Sequence, residues 1–253
     1  MHQFFVEPSQ VGKEFITITG SDVNHIKNVL RMREGEEVRI SDGDGKDYLC
    51  RINEVTDQFV QADILSLSVD TELPSQIYLY QALPKGDRME TVIEKAVELG
   101  AYAVIPVRMK YCVVKLDEKK ALSKKKRWQA IALSAAKQSK RSIIPQVMDV
   151  MDYKKALSEA FAQMDLVIVP YENEEGMKAT KEALKQVKDA KKIAVFIGPE
   201  GGFSKEEIDL AKGRAQIISL GRRILRTDTA AISTLSLLMT NLEMNEEESC
   251  RHI

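Results

Sequence analysis

From Ile77 onward, short apolar runs without polar alternation take turns with helical segments, and this constrains the fold more than any other feature of the chain. A strand half-exposed to water alternates apolar and polar side chains; one covered on both faces does not. The spacing predicts strands over Ile77–Leu83, Val104–Val107, Leu166–Val169, Ile193–Ile197 and Ile217–Leu220. Between and after them it predicts helices over Asp87–Leu99 (stopped by Gly100), a long basic helix over Asp117–Lys140, and Tyr153–Met164, Glu174–Val187 and Ser204–Lys212. A final apolar helix is expected over Thr229–Met244. Strands and helices in this alternation indicate a parallel sheet covered by helices on both faces.

The first 70 residues read differently. Phe15–Thr19, Glu37–Ser41, Tyr48–Val55 and Phe59–Leu67 are rich in β-branched and aromatic residues, with Asp42-Gly43-Asp44-Gly45 among the turns. One helix interrupts them: Val23, Ile26, Val29 and Leu30 recur at helical spacing, and Ser21 is placed as its N-cap. This is a small barrel-like module, and Val69–Ser75, which contains Pro74, is the expected linker.

Composition narrows the class. With 253 residues, 44% hydrophobic and 30% charged, the chain can bury one large core or two ordinary ones. No apolar run approaches the roughly 18 to 20 residues that span a bilayer, and the first residues show no secretory signal. Cys50, Cys112 and Cys250 are few, odd in number and far apart, which suits a reducing cytoplasm. His2, His25 and His252 are equally scattered, so no metal site is expected.

The net charge of −1 argues against a generic nucleic-acid binder, but its distribution is uneven. Between positions 108 and 141 stand Arg108, Lys110, Lys115, Lys119, Lys120, Lys124, Lys125, Lys126, Arg127, Lys137, Lys140 and Arg141, against Asp117 and Glu118. Such a stretch is either a phosphate-binding surface or the solvated face of a Lys-rich helix. Acidic stretches such as Glu243–Glu248 balance it.

Two strand-to-helix loops carry the chemistry. Gly198-Pro199-Glu200-Gly201-Gly202 follows Ile197, and Ser204 with Glu207 has the spacing of a capping box for the next helix. Ligands of parallel α/β sheets bind at the carboxyl ends of strands, and glycines there let backbone approach a ligand. The loop lacks the Lys-Ser/Thr of a P-loop, and Glu200 would repel a phosphate. It is either a simple tight turn or a backbone site for a cationic or zwitterionic ligand. The second loop, Gly221 to Asp228, carries Arg222, Arg223 and Arg226, residues suited to phosphates or bases. Its Thr227 and Asp228 are also placed to cap the following helix.

Together the two loops resemble the RsmE family, methyltransferases of the SPOUT superfamily that act on N3 of a uridine in small-subunit ribosomal RNA. His25-Ile26-Lys27-Asn28-Val29-Leu30-Arg31, Lys85-Gly86-Asp87-Arg88-Met89-Glu90, the segment Glu94 to Gly100, and Gln138-Ser139-Lys140-Arg141 with Pro145 extend the resemblance over essentially the whole chain. The family usually has Arg-Thr-Glu-Thr-Ala where this chain has Arg226-Thr227-Asp228-Thr229-Ala230, one methylene shorter at the carboxylate.

The resemblance implies a PUA-like β-barrel RNA-binding domain over 1–70 and a SPOUT α/β domain over 74–253, whose parallel sheet carries a deep trefoil knot. It implies S-adenosylmethionine, bent among three loops, held by Pro170, Glu172, Ile197, Gly198, Pro199, Gly201, Gly202, Leu220, Gly221, Ile224, Leu225 and Arg226. RNA contacts fall to His25, Arg31, Arg33, Lys124, Lys125, Arg127, Gln138 and Arg141. Catalytic candidates are Arg226 and then Arg141, to stabilise the N3 anion, with Asp228, Glu200 or solvent as base. The substrate is 16S rRNA or the assembled small subunit, in the cytoplasm. A homodimer is expected through the knot domain, with Ile232, Leu235, Leu238, Met239 and Leu242 at the contact or in ordinary core. Competing readings are ribose methylation by a related fold, an RNA-binding assembly factor without catalysis, and a phosphate-transferring enzyme, which would lack its P-loop lysine.

Overall fold

The computed structural model describes residues 1–68 and 71–250, with side chains through 246. Part of the expected linker, the Cys250 side chain and His252 therefore lie outside the described residues. The chain divides into two compact units: Met1–Glu72 with Ala136–Ile144, and Leu73–Ala135 with Pro145 onward.

The first unit is built on a five-stranded sheet in the order β1 (Gln3–Phe5), β3 (Glu37–Ser41), β4 (Asp47–Val55), β5 (Phe59–Leu67), β2 (Phe15–Thr19). Only β1 and β3 run parallel. Alternation buries Ile16 and Ile18 of β2 and leaves Phe15 exposed, the pattern of a sheet with one covered face. Register shifts at Leu49/Cys50 and Ile52/Glu54 mark irregularities that increase twist. Among the described residues no ladder joins β1 to β2 to close a barrel. α1 (Ser21–Asn24) runs into a wider turn, His25–Leu30. Ser21 is its first residue rather than its cap: Gly20 takes that position at φ 76°, with no side-chain cap, because only glycine enters a left-handed bend without cost.

The segment Ala136–Ile144 groups in space with this unit, although it lies within the stretch 74–253 in sequence. The reason is a set of buried polar bonds. Gln3 Nε2 donates to Ser41 Oγ and to the Arg141 carbonyl, 2.8 and 2.7 Å. Arg141 is 3% exposed and its guanidinium grips the Glu72 carboxylate, which also accepts the Ser142 amide at 2.9 Å. Burying one partner without the other would strand a charge.

The second unit holds a parallel sheet in the order β12 (Gln216–Ile218), β10 (Leu166–Pro170), β11 (Lys192–Ile197), β6 (Gln76–Ala82), β7 (Ala101–Arg108), β8 (Gln146–Val147), with β9 (Met151–Asp152) also on β7. Every residue of β10 and all but the first of β11 are buried, as two-sided cover requires. The helices are α2 (Arg88–Glu98), α3 (Glu118–Ser139), α4 (Tyr153–Gln163), α5 (Lys178–Val187), α6 (Lys205–Ala211) and α7 (Thr227–Cys250). Among the described residues no helix is long and apolar enough to cross a membrane. From β12 at the sheet edge the chain returns to the middle, where Thr227 opens α7 beside Gln81 of β6. Leu235, Leu238 and Leu242 of α7 are buried within this unit, and Ile232 and Met239 are half-buried. The three leucines are therefore ordinary core.

Candidate active site

Three loops converge at the carboxyl ends of β10, β11 and β12 around a cleft of about 470 Å³. The glycine loop is set by local chemistry. Ser204 and Glu207 form the expected capping box, with the Ser204 amide donating to Glu207 Oε2 at 2.8 Å and Ser204 Oγ accepting the Glu207 amide at 3.3 Å. Gly202 closes the turn, its amide donating to the Pro199 carbonyl at 2.9 Å, with φ 70°. A Cβ there would also meet the Glu172 carboxylate, the movable end of a side chain, so it is the positive φ that calls for glycine. At Gly198 a Cβ would sit 3.0 Å from the Phe203 ring.

The loop after β10 is held to β12 by the Tyr171 amide, 2.9 Å from the Ile218 carbonyl. The arginine loop after β12 is anchored by Thr180 of α5, whose hydroxyl donates to the Ser219 carbonyl at 2.7 Å. At its far end Thr227 is buried and works as a relay. Its hydroxyl accepts Gln81 Nε2 at 2.9 Å and donates to the Gly198 carbonyl at 2.7 Å. One side chain thus ties β6, the glycine loop and the start of α7.

All the residues assigned to the cofactor line this cleft: Pro170 and Glu172; Ile197, Gly198, Pro199, Gly201 and Gly202; Leu220, Gly221, Ile224, Leu225 and Arg226. Tyr171, Glu200, Arg222 and Arg223 within the same three loops line it as well, and so do Phe203, Thr227 and Ala230, which the sequence did not point to. Phe203 and Ala230 carry no local signal, since their neighbours are set by packing.

The catalytic candidates separate. Arg226 is exposed in the cleft wall. Arg141 belongs to the other unit with its guanidinium committed to Glu72, which makes it a holding residue rather than a catalytic one. Glu200 fails as a base. Burial pushes its carboxyl up, but the Lys85 amide, its own amide and the Arg88 guanidinium outweigh this and hold it below the usual carboxylate range. Those partners lie at 2.9 Å (Lys85 amide) and 2.7 Å (Arg88 Nη1). A carboxylate so stabilised has little affinity for a proton. Neither Thr227 nor Asp228 caps α7: the Thr227 hydroxyl is engaged as above, and Asp228 Oδ1 is buried without a hydrogen-bond partner.

Of the RNA candidates, His25, Arg31, Arg33 and Gln138 are exposed in the first unit, and Arg141 is not. On α3, Arg127 and Lys124 reach Glu90 at 2.7 and 3.9 Å, and Lys125 reaches Asp149 at 2.7 Å. Arg127 is exposed and Lys124 and Lys125 are half-buried, so all three cations keep some access to solvent. Burial pushes the Cys50 thiol up to about 12, with Asp63 adding to it, so this cysteine is not a nucleophile.

A parallel α/β unit with a looped cleft at its carboxyl edge, preceded by a small β module, is the build of an RNA methyltransferase. Residues 71–239 match the RNA methyltransferase domain family, and 18–65 match the RNA methyltransferase PUA domain. The chain is 35% identical over 252 residues to the ribosomal RNA small subunit methyltransferase E of Bacillus subtilis (96% of this chain, 98% of that one). A putative methyltransferase from Legionella pneumophila, solved with the cofactor SAM, is 32% identical with a TM-score of 0.79, covering 94% and 96% of the two chains. The Neisseria gonorrhoeae ribosomal RNA small subunit methyltransferase E, solved with S-adenosyl methionine, is 30% identical with a TM-score of 0.81, covering 95% and 97%. This chain belongs to the ribosomal RNA small subunit methyltransferase E family, with a PUA-like domain before a SPOUT-type α/β fold.

Proposed function

We propose that this protein transfers the methyl group of S-adenosylmethionine to N3 of a uridine in 16S rRNA, and that the three-loop cleft is where it does so. The observation that carries the reading is the convergence of Gly198–Gly202 with Pro170–Glu172 and Leu220–Arg226 around one cleft of about 470 Å³. That volume lies in the range of small-molecule sites. The walls fit the cofactor: Ile197, Leu220 and Leu225 supply apolar surface, and the glycines let a ligand approach the backbone closely.

The bound cofactor supplies an electrophilic methyl carbon. What the protein must add is an unpaired uridine and a way to lose its N3 proton. Arg226, exposed in the cleft wall, is suited to stabilise negative charge spread onto the carbonyl oxygens beside N3. With Glu200 committed to Arg88, the proton falls to Asp228 or to solvent. Exposed Arg31 and Arg33 on the first unit, with exposed Arg127 and half-buried Lys124 and Lys125 on α3, would hold the phosphate backbone, while target choice comes from RNA shape. Two copies paired through α7, using half-buried Ile232 and Met239, and a cytoplasmic setting belong to the same reading.

The test is methyl transfer to small ribosomal subunits from cells lacking this protein, followed by mass spectrometry of the nucleosides. 3-Methyluridine is expected. Label in another nucleoside moves the target, and RNA binding without label removes the catalytic reading.

A further inference from the structure

A turn after β7 holds an aromatic ring against the glycine loop. Met109 and Cys112 join the core cluster under the sheet, and the Cys112 amide donates to the Met109 carbonyl at 3.1 Å. The two residues between them, Lys110 and Tyr111, are left facing solvent. The turn is pinned to the start of α6: the Lys110 amide donates to Glu207 Oε1 at 2.8 Å, and Lys110 Nζ to Glu206 Oε2 at 2.9 Å. Glu207 is itself 7% exposed and fixed in the capping box, so the anchor is rigid. Tyr111 is 46% exposed. A Cβ built on Gly201 would lie 2.9 Å from Tyr111 Cβ and 3.5 Å from its Cγ, so the root of the ring abuts the cleft-lining loop.

We propose that Tyr111 is a stacking platform for an unpaired pyrimidine base of the RNA substrate, at the lip of the cofactor cleft. The proposal rests on the functional reading above. A base methylated at its pairing edge must leave its partner, and single-stranded bases are held by stacking on aromatic side chains. The turn offers such a ring, its backbone pinned to α6 and the core-packed Met109 and Cys112 on either side of the exposed pair. Lys110 Nζ stands 5.9 Å from the Tyr111 ring centroid, a cation–π contact, and also donates to Glu206, while Tyr111 stays 46% exposed for a base. Glycine at 201 is needed to let the ring root approach so closely.

The experiment compares the wild-type protein with Tyr111→Ala, Tyr111→Phe and Tyr111→Trp. It reads kcat/KM for methylation of unmodified small subunits, S-adenosylmethionine affinity by calorimetry, and mass by sedimentation. Base–aromatic stacking corresponds to a loss of about 5- to 150-fold in kcat/KM for Tyr111→Ala. Tyr111→Phe is expected to stay within about threefold, because it keeps the ring. Cofactor affinity and mass are expected to be unchanged. The single native tryptophan, Trp128, is 3% exposed, so Tyr111→Trp adds a reporter whose emission a single-stranded oligouridylate should quench. Wild-type kcat/KM in Tyr111→Ala overturns the proposal. So does a fall in cofactor affinity matching the fall in kcat/KM, which would make Tyr111 a prop for the glycine loop. A change of mass would assign the ring to a contact between copies. If the wild-type protein methylates nothing, the functional reading fails, and quenching of Tyr111→Trp still decides whether the ring binds a base.

Discussion

The relay through Thr227 gives the sharpest quantitative test of how the cleft is held. Thr227→Val keeps the shape and removes the hydroxyl. The Gly198 carbonyl then loses its donor at 2.7 Å, while Gln81 Nε2 loses one acceptor but keeps the Ala82 carbonyl at 3.1 Å. One stranded half-buried acceptor and one weakened donor cost about 1–3 kcal/mol. For units of about 150–250 residues each kcal/mol shifts Tm by about 2–4 °C, so a fall of about 2–12 °C is expected. Thermal denaturation without cofactor measures it, since a bound ligand would mask the loss by mass action. Two controls sharpen the result. Thr227→Ser keeps both bonds and should stay within about 1 kcal/mol of wild type. Gln81→Leu loses its Nε2 bonds but also removes Gln81 Oε1, which is buried with no partner, so the two effects oppose and the net change should be small. A Thr227→Val protein that melts within about 1 °C of wild type would refute the relay. A larger loss in Thr227→Ser than in Thr227→Val would assign the effect to packing of the threonine methyl instead.

Three further outcomes are expected. Gly202→Ala, forced into φ 70° and against the Glu172 carboxylate, should cost about 1–2 kcal/mol locally and weaken S-adenosylmethionine binding about tenfold or more in calorimetry. Unchanged affinity would remove that loop from the site. Glu200→Gln should retain methylation within about tenfold, well short of the 10²–10⁴-fold effect of removing a general base; a loss of that size would restore Glu200 as the base. Because its folded-state carboxyl is held low, the ion pair with Arg88 stabilises above the unfolded carboxylate pKa, and this contribution is lost as pH falls through the folded value. Replacing Lys124, Lys125, Lys126 and Arg127 with Ala should weaken RNA binding and flatten its salt dependence. An unchanged slope in a filter-binding titration would leave α3 a solvated face.

Much of the fold was legible because its signals are local. The uninterrupted apolar runs of β10 and β11, the Ser204–Glu207 capping box and the glycine loop are each defined within a few residues, and the structure places all of them as expected. β1, β8 and β9, at three residues or fewer, are too short for any periodicity to register. α5 starts at Lys178 rather than Glu174, since the intervening residues form the turn after Tyr171 instead of a first helical turn. Ser21 has the residue type of a cap and lost the position to Gly20 on backbone geometry alone.

The candidate site divides along the same line. The sequence by itself determined a parallel α/β unit after a small β module, and which loops follow which strands, because helix and strand periods and caps depend on neighbours within about four residues. Only the tertiary structure decided which side chains are already engaged. Glu200 meets Arg88 across 112 positions, Arg141 meets Glu72 across 69, and Thr227 meets Gln81 across 146. No local pattern encodes such partners; they are chosen when packing brings distant elements together and burial makes an unpaired charge or dipole too costly to leave. That selection moved Glu200 and Arg141 out of the catalytic role their residue types suggested, and it brought Thr227 to the cleft and the root of the Tyr111 ring against Gly201.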